Sequence, residues 1–169
     1  MKKMKTFICA FIVLYFTHAL AMPIKPPHFL EKSGAIRGGQ SEQYVSLLDA
    51  RRSADPKIKT ERLIFDWGDR SFDSTVKGGY YQIEYREKSA QVMMSFALTL
   101  NTKFEAEAFR KKMENGLYVK KASLDYDSVA HSVIVHLQLR NKVKVKVTEM
   151  DGVAKKSTAK LVIDLIGTK

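Results

Sequence analysis

Between Ser132 and Val147 the chain reads SVIVHLQLRNKVKVKV, and no other stretch limits the fold as tightly. Val133, Val135, Leu137 and Leu139 occupy alternate positions. Lys142, Lys144 and Lys146 then alternate without a break with Val143, Val145 and Val147. A period of two belongs to a half-buried strand, apolar side inward and polar side outward. Arg140 and Asn141 stand at the join, where a tight hairpin is expected.

The same period recurs along the chain from Glu61 onward. Glu61 to Trp67 predicts a strand with Leu63, Phe65 and Trp67 on one face. Tyr80 to Arg86 and Gln91 to Leu100 read as further strands, and Ser74 to Lys77 as a short one after a turn over Gly68–Asp73. Leu117 to Asp125, the two strands described above, and Lys160 to Ile166 form a meander through turns at Asp127-Ser128 and Asp151-Gly152. One helix interrupts them. Over Thr102–Asn115, Thr102 and Glu105 have the spacing of a capping box. Phe104, Ala108, Phe109 and Met113 share a face, and Gly116 offers a left-handed stop. The expected fold is mainly β: a small β-sandwich or strongly bent antiparallel sheet with one packed α-helix.

The N-terminus reads as a secretory signal over residues 1–21. Lys2, Lys3 and Lys5 precede an apolar run over Thr6–Thr17, and Ala19-Leu20-Ala21 is a small-x-small cleavage site. The run is shorter than the ~20 residues of a bilayer span, so no transmembrane anchor is expected after cleavage. The only cysteine, Cys9, lies within the signal. Disulfides and thiolate metal sites are therefore excluded from the mature chain. Cleavage removes three lysines and no acid, so the net charge falls from +11 to +8. Such a balance suits polyanions: lipid phosphates, acidic wall polymers or nucleic acid. Nothing resembles a nucleic-acid-binding motif, and the exported compartment, periplasmic or extracellular, argues against that partner.

Residues 22–58 read as a flexible linker. Pro23, Pro26 and Pro27 oppose helix, and Ser33-Gly34 and Gly38-Gly39 punctuate. Between Ser41 and Ser53, Tyr44, Leu47 and Leu48 have helical spacing, which predicts a short helix. The domain is expected over residues 59–169.

Little in the sequence points to catalysis. His28, His131 and His136 lack partners at metal-ligand spacing, and neither a metal nor a cofactor is called for. Ser74-Thr75-Val76-Lys77 matches S-x-x-K, but Gly78-Gly79 follows at once and the companion motifs of that chemistry are missing. Asp66 and Asp164 each interrupt an apolar strand within a shared pattern, LIFDW and LVIDL. Their expected role is structural, capping a turn or bonding across the sheet. Catalysis by the two together would need them within about 5–10 Å. Two binding surfaces are candidates. Lys142, Lys144 and Lys146 would stand about 7 Å apart on one face, where they could meet anions or simply guard a sheet edge. Tyr80, Tyr81 and Tyr85, near Trp67, could stack on sugar rings, although alternation assigns Tyr81 and Tyr85 together to one face, the core.

Arg62-Leu63-Ile64-Phe65-Asp66-Trp67, Gly79-Tyr80-Tyr81-Gln82-Ile83 and Leu161-Val162-Ile163-Asp164-Leu165 together resemble the AMIN domain, a small β-sandwich module of periplasmic cell-wall amidases and secretins. The resemblance covers about Lys59 to Ile166. It implies a non-catalytic targeting module with peptidoglycan or an envelope protein complex as partner. The alternative is a secreted interaction factor, an effector or inhibitor that binds a protein through a sheet edge or the Tyr44 segment. A small hydrolase with unrecognised residues is a third reading.

Overall fold

The structure is a computed structural model that describes residues 25–40, 44–68, 77–152 and 158–168. The predicted signal and its cleavage site, the turn after Gly68 and Ser74-Thr75-Val76 lie outside the described residues. In chain order the strands are β1 (His28–Leu30), β2 (Gly34–Gly38), β3 (Val45–Asp55), β4 (Thr60–Gly68), β5 (Tyr81–Arg86), β6 (Gln91–Phe96), β7 (Thr99–Thr102), β8 (Val119–Asp127), β9 (Ser132–Leu139), β10 (Val143–Met150) and β11 (Ala159–Gly167). Helix α1 (Ala106–Glu114) lies between β7 and β8.

The strands form two sheets. One has six strands in the order β1-β10-β11-β4-β3-β7, and the other has five in the order β2-β5-β6-β9-β8. All pairs are antiparallel except β3 with β7. The mainly-β expectation with one packed helix holds. Three predicted alternations bury their apolar side in full: Leu63, Phe65 and Trp67 on β4, Tyr81, Ile83 and Tyr85 on β5, and Val143, Val145 and Val147 on β10. The two inner faces meet through aromatic contacts. Phe96 of the five-stranded sheet lies 5.1 Å from Phe65 and 5.8 Å from Trp67, ring centre to ring centre.

The expected hairpin at Arg140-Asn141 is not one. β9 belongs to the five-stranded sheet and β10 to the six-stranded one. Arg140 and Asn141 carry the chain between layers. Both strands have an apolar side, and placing them in opposite sheets lets those sides face each other. The Arg140 N–H donates to the carbonyl of Tyr118 and the Val143 N–H to the Tyr85 hydroxyl, which fixes both ends of the crossing. The meander is thus two separate hairpins, β8-β9 and β10-β11.

The linker reading of residues 22–58 is also corrected, since β1, β2 and β3 lie there and the domain starts well before residue 59. The helix expected over Ser41–Ser53 is, in its described part, strand β3. Tyr44, Leu47 and Leu48 share no buried face: Leu47 is buried, Leu48 half-buried and Tyr44 exposed, and the pairing of β3 with β4 makes the segment a strand. A bulge between Leu47 and Asp49 shifts its alternation, with Val45 and Leu47 buried before it and Ala50 after it. Gln91–Leu100 likewise splits into β6 and β7 at Ala97-Leu98, where Leu98 takes φ 52°.

Helix α1 closes the gap between the sheets beside β8 and β3. Phe109 and Met113 are buried, and Phe109 lies 6.4 Å from Phe65. Lys112 Nζ donates to the Ala50 carbonyl at 2.8 Å and Arg52 Nη1 to that of Asn115 at 2.7 Å. The predicted capping box does not form. Pairing of β7 with β3 holds Thr102 in a strand, so the helix begins at Ala106 with Glu105 as an N-cap lacking a side-chain bond. The Thr102 hydroxyl donates instead to the Phe104 carbonyl. Gly116 is not left-handed; among the described glycines only Gly39 has positive φ. Its need is for space, because a Cβ there would come 1.9 Å from Glu61 Oε1.

Glu61 is fully buried on the inner side of β4. Its Oε2 accepts from the N–H groups of Tyr118 and Val119 at 2.6 and 3.3 Å, and Arg52 Nη1 stands 3.5 Å from Oε1. One carboxylate thereby pins the passage from α1 into β8. Glu61→Ala leaves these donors unpaired in the core and should cost about 2–4 kcal/mol, read as a lower urea midpoint. Gly116→Ala should also destabilise. Combined with Glu61→Ala its cost should shrink, since the clashing atom is gone; strict additivity in a double-mutant cycle would refute this account.

Candidate functional site

The lysine row is the first predicted surface to place. Lys144 and Lys146 lie on the outer face of β10, and Lys142 just precedes it. β10 is not an edge, because β1 pairs along it from Val145 to Val147. Each lysine has an acidic neighbour: Lys142 with Glu87 at 3.0 Å, Lys144 with Glu31, and Lys146 with Asp164 at 3.9 Å. Lys144 also lies over the Phe29 ring. The row is real as geometry, and its charge is largely compensated.

The tyrosines separate. Tyr81 and Tyr85 are 4% and 0% exposed, so neither can offer a ring face to a sugar. That part of the expected aromatic platform is corrected: the alternation that groups them turns both into the core. Tyr80 is exposed, at the opposite end of the sandwich from the β9-β10 crossing. Tyr81 stacks on Trp67 with centroids 6.2 Å apart and donates to Glu149 Oε1 at 2.6 Å. Lys25 reaches the other oxygen of Glu149. Burial, and then the bond to Glu149, push the Tyr81 hydroxyl pKa far up. Burial pushes the Glu149 carboxyl up too, but the bonds from Lys25 and Tyr81 outweigh it and hold the acid below its usual range.

Asp66 and Asp164 bond across the six-stranded sheet, as their setting implied. β4 and β11 are direct antiparallel partners, so the LIFDW and LVIDL segments run side by side. Asp164 takes a two-pronged bond from Arg62 at 2.6 and 3.0 Å. Asp66 takes one from Arg51 at 2.7 and 3.0 Å and an ion pair from Lys160 at 3.2 Å. In the ladder Asp66 faces Lys160 and Asp164 faces Arg62. Four residues of strand, about 13 Å, separate the two acids, beyond the spacing of a shared acid pair.

The structure brings together a group that alternation alone does not reveal. Arg86, Gln91, Gln138 and Lys121 stand in register across β5, β6, β9 and β8 on the outer face of the five-stranded sheet. Gln91 Nε2 donates to Gln138 Oε1 at 3.1 Å. In the next row Met93 faces His136, with Ser123 beyond. These two rows floor a depression of about 330 Å³. Arg86 binds Glu84 at 2.7 Å, a bond that keeps Glu84 ionised. Lys121 has no ion pair among the described residues. Two amides thus lie over about 14 Å between Arg86, whose charge Glu84 engages, and Lys121, beside a thioether, an imidazole and the Glu114 carboxylate. Sequence could place Arg86 with Glu84 on one face, but not Gln91 beside Gln138.

The depression lies next to the basic end of the sandwich. The turns 31–33, 56–59 and 87–90, the start of β8 and the 140–142 crossing all gather there. Lys32, Lys57, Lys59, Lys88, Lys120 and Arg140 are exposed there, without ion pairs among the described residues. His131 sits at the opposite end in a turn, edge-on to Tyr44. His28 is exposed on β1. No group of three or more potential ligands that could hold a metal occurs among the described residues.

No family model and no curated protein matches the chain, so the likeness to AMIN rests on the three segments that suggested it.

The Glu149 cluster carries a pH prediction. A carboxyl whose pKa is depressed on folding stabilises above its unfolded pKa, and that contribution fades as pH falls through the folded value. Glu149→Gln should lower stability at pH 7 by about 2 kcal/mol. The gap from wild type should narrow steadily toward pH 3 in urea unfolding. A gap independent of pH would rule out the ionic role.

Proposed function

We propose that this chain is an exported, non-catalytic binding module of the cell envelope that holds an anionic wall polymer, peptidoglycan by preference, on the outer face of its five-stranded sheet. The row Arg86–Gln91–Gln138–Lys121 carries this reading. Side-chain amides donate to and accept from sugar hydroxyls and acetamido groups. Lys121 supplies charge for a carboxylate, and Met93 gives an apolar patch under a sugar ring. The secretory signal and the AMIN resemblance support the compartment and the class of ligand. The acids Glu61, Asp66, Glu149 and Asp164 are each engaged by a cation or by backbone N–H groups, which supports a structural role for them over catalysis.

The test is retention on purified sacculi over a salt series. Lys121→Gln combined with Gln138→Ala should lower retention about tenfold and leave the salt-resistant fraction small. Lys144→Gln with Lys146→Gln, on the other sheet, should leave it near wild type. Retention that vanishes at moderate salt for every variant alike would reduce the effect to net charge and refute the site. No retention by wild type would favour a protein partner instead.

A further inference from the structure

At the basic end, the β3–β4 hairpin ends in Pro56-Lys57-Ile58-Lys59. Ile58 is 67% exposed at its tip, between two exposed lysines. The tip is firmly held. The Lys59 N–H donates to the Pro56 carbonyl, and Asp55 Oδ1 accepts from the Lys57 N–H at 2.9 Å. Lys59 takes φ 51°, and its carbonyl accepts from the Tyr118 hydroxyl at 3.0 Å and from the Gly167 N–H at 2.9 Å. Through Tyr118 the tip continues into Arg140, whose N–H bonds the Tyr118 carbonyl, and through Thr168 into Lys142. The fold therefore presents an apolar side chain outward from the centre of a cationic surface.

We infer that this tip is a second binding site, separate from the sheet-face depression, and that its ligand is the surface of a bilayer containing anionic phospholipid. The cations Lys57, Lys59, Lys120 and Arg140 have no ion pairs among the described residues, outnumber the one acid at the tip, Asp55, and match phosphates, those of lipid included. Ile58 is the observation that selects a bilayer over a soluble polyanion. Ile58 matches nothing in a hydrated polyanion, but a bilayer puts an apolar layer within a few ångströms of its charged one. The lysine stems let the ammonium groups stay among the phosphates while Ile58 enters. Because the bonds to Tyr118 and Gly167 fix the tip before contact, little conformational freedom is lost on binding.

The chain from Met22 onward is the form to test, since residues 25–168 contain both sheets and the apolar run of the signal would bind lipid by itself. Vesicles of seven parts phosphatidylcholine to three of phosphatidylglycerol are the probe, read by co-sedimentation. Wild type should bind these and not pure phosphatidylcholine. Lys57→Gln and Lys59→Gln should each weaken binding about fivefold, and Ile58→Ser by a similar factor. Circular dichroism should stay unchanged, because all three side chains are exposed. Trp67, the only tryptophan, is buried, so Ile58→Trp adds a reporter whose emission should shift to the blue on vesicles and be quenched by brominated lipid. Equal binding by wild type and Ile58→Ser, or an unshifted Ile58→Trp spectrum, would overturn the inference, as would failure of wild type to bind. Retention of Ile58→Ser on sacculi should match wild type; a parallel loss there would overturn the separation of the two sites.

Discussion

The ladder between β4 and β11 joins residues a hundred positions apart, and both faces of the molecule depend on it. On its inner side Leu63, Phe65 and Trp67 meet Leu161, Ile163 and Ala159, and together they floor the core. On its outer side the same register sets Arg62 against Asp164 and Lys160 against Asp66. The two acids are nearly buried although they face outward. Their bonds to arginine and lysine are what allow charge to sit there at all, since an unpaired carboxylate in that position would cost several kcal/mol. Slipping the ladder by one residue would turn the apolar set to solvent and the ion pairs into the core.

Most strands were legible because alternation is a local property. Val143 to Val147 or Tyr81 to Tyr85 need no partner to reveal which side is buried. The errors arose where local pattern depends on a distant neighbour. Arg140-Asn141 suits either a hairpin or a crossing between layers, and what decides is that β1, not β9, takes the other side of β10. Tyr44, Leu47 and Leu48 have helical spacing, but the pairing of β3 with β4 makes their segment a strand. Thr102 and Glu105 had cap spacing, but the pairing of β7 with β3 claimed Thr102 first. The candidate sites fared in the same way. The core position of Tyr81 and Tyr85 follows from alternation. The compensation of Lys142, Lys144 and Lys146 by Glu87, Glu31 and Asp164 does not, nor does the row formed by Gln91 and Gln138, because each requires the register between strands far apart in sequence.

The distribution of charge follows from the fold rather than from composition. On the outer face of the six-stranded sheet acids and bases cancel in pairs, such as Arg51 with Asp66 and Arg62 with Asp164. The turns at one end do not. Glu31 and Glu87 are spent on Lys144 and Lys142, which leaves Lys32, Lys57, Lys59 and Lys88 without ion pairs among the described residues. A modest net charge thereby becomes a directional field. Partners with dense negative charge would be drawn to this end in preference to the sheet faces, before any specific contact forms.

That direction links the two proposed surfaces. Strands β5, β6, β8 and β9 end at the basic pole, and the Arg86–Gln91–Gln138–Lys121 row crosses them next to it. A domain resting on the Ile58 tip would hold its sheets upright, with the strands rising from the lipid. The row runs across the strands, so a polymer bound along it would lie parallel to the membrane, one or two strand residues above the pole. Lys121 and Arg86 would then lie within about a Debye length, ~8 Å, of the lysines at the pole. Their field would be felt most by the carboxylates of a polymer close to the bilayer, and weakly by one farther away. Position above the membrane, rather than sugar chemistry alone, would then set which part of a wall polymer this domain engages.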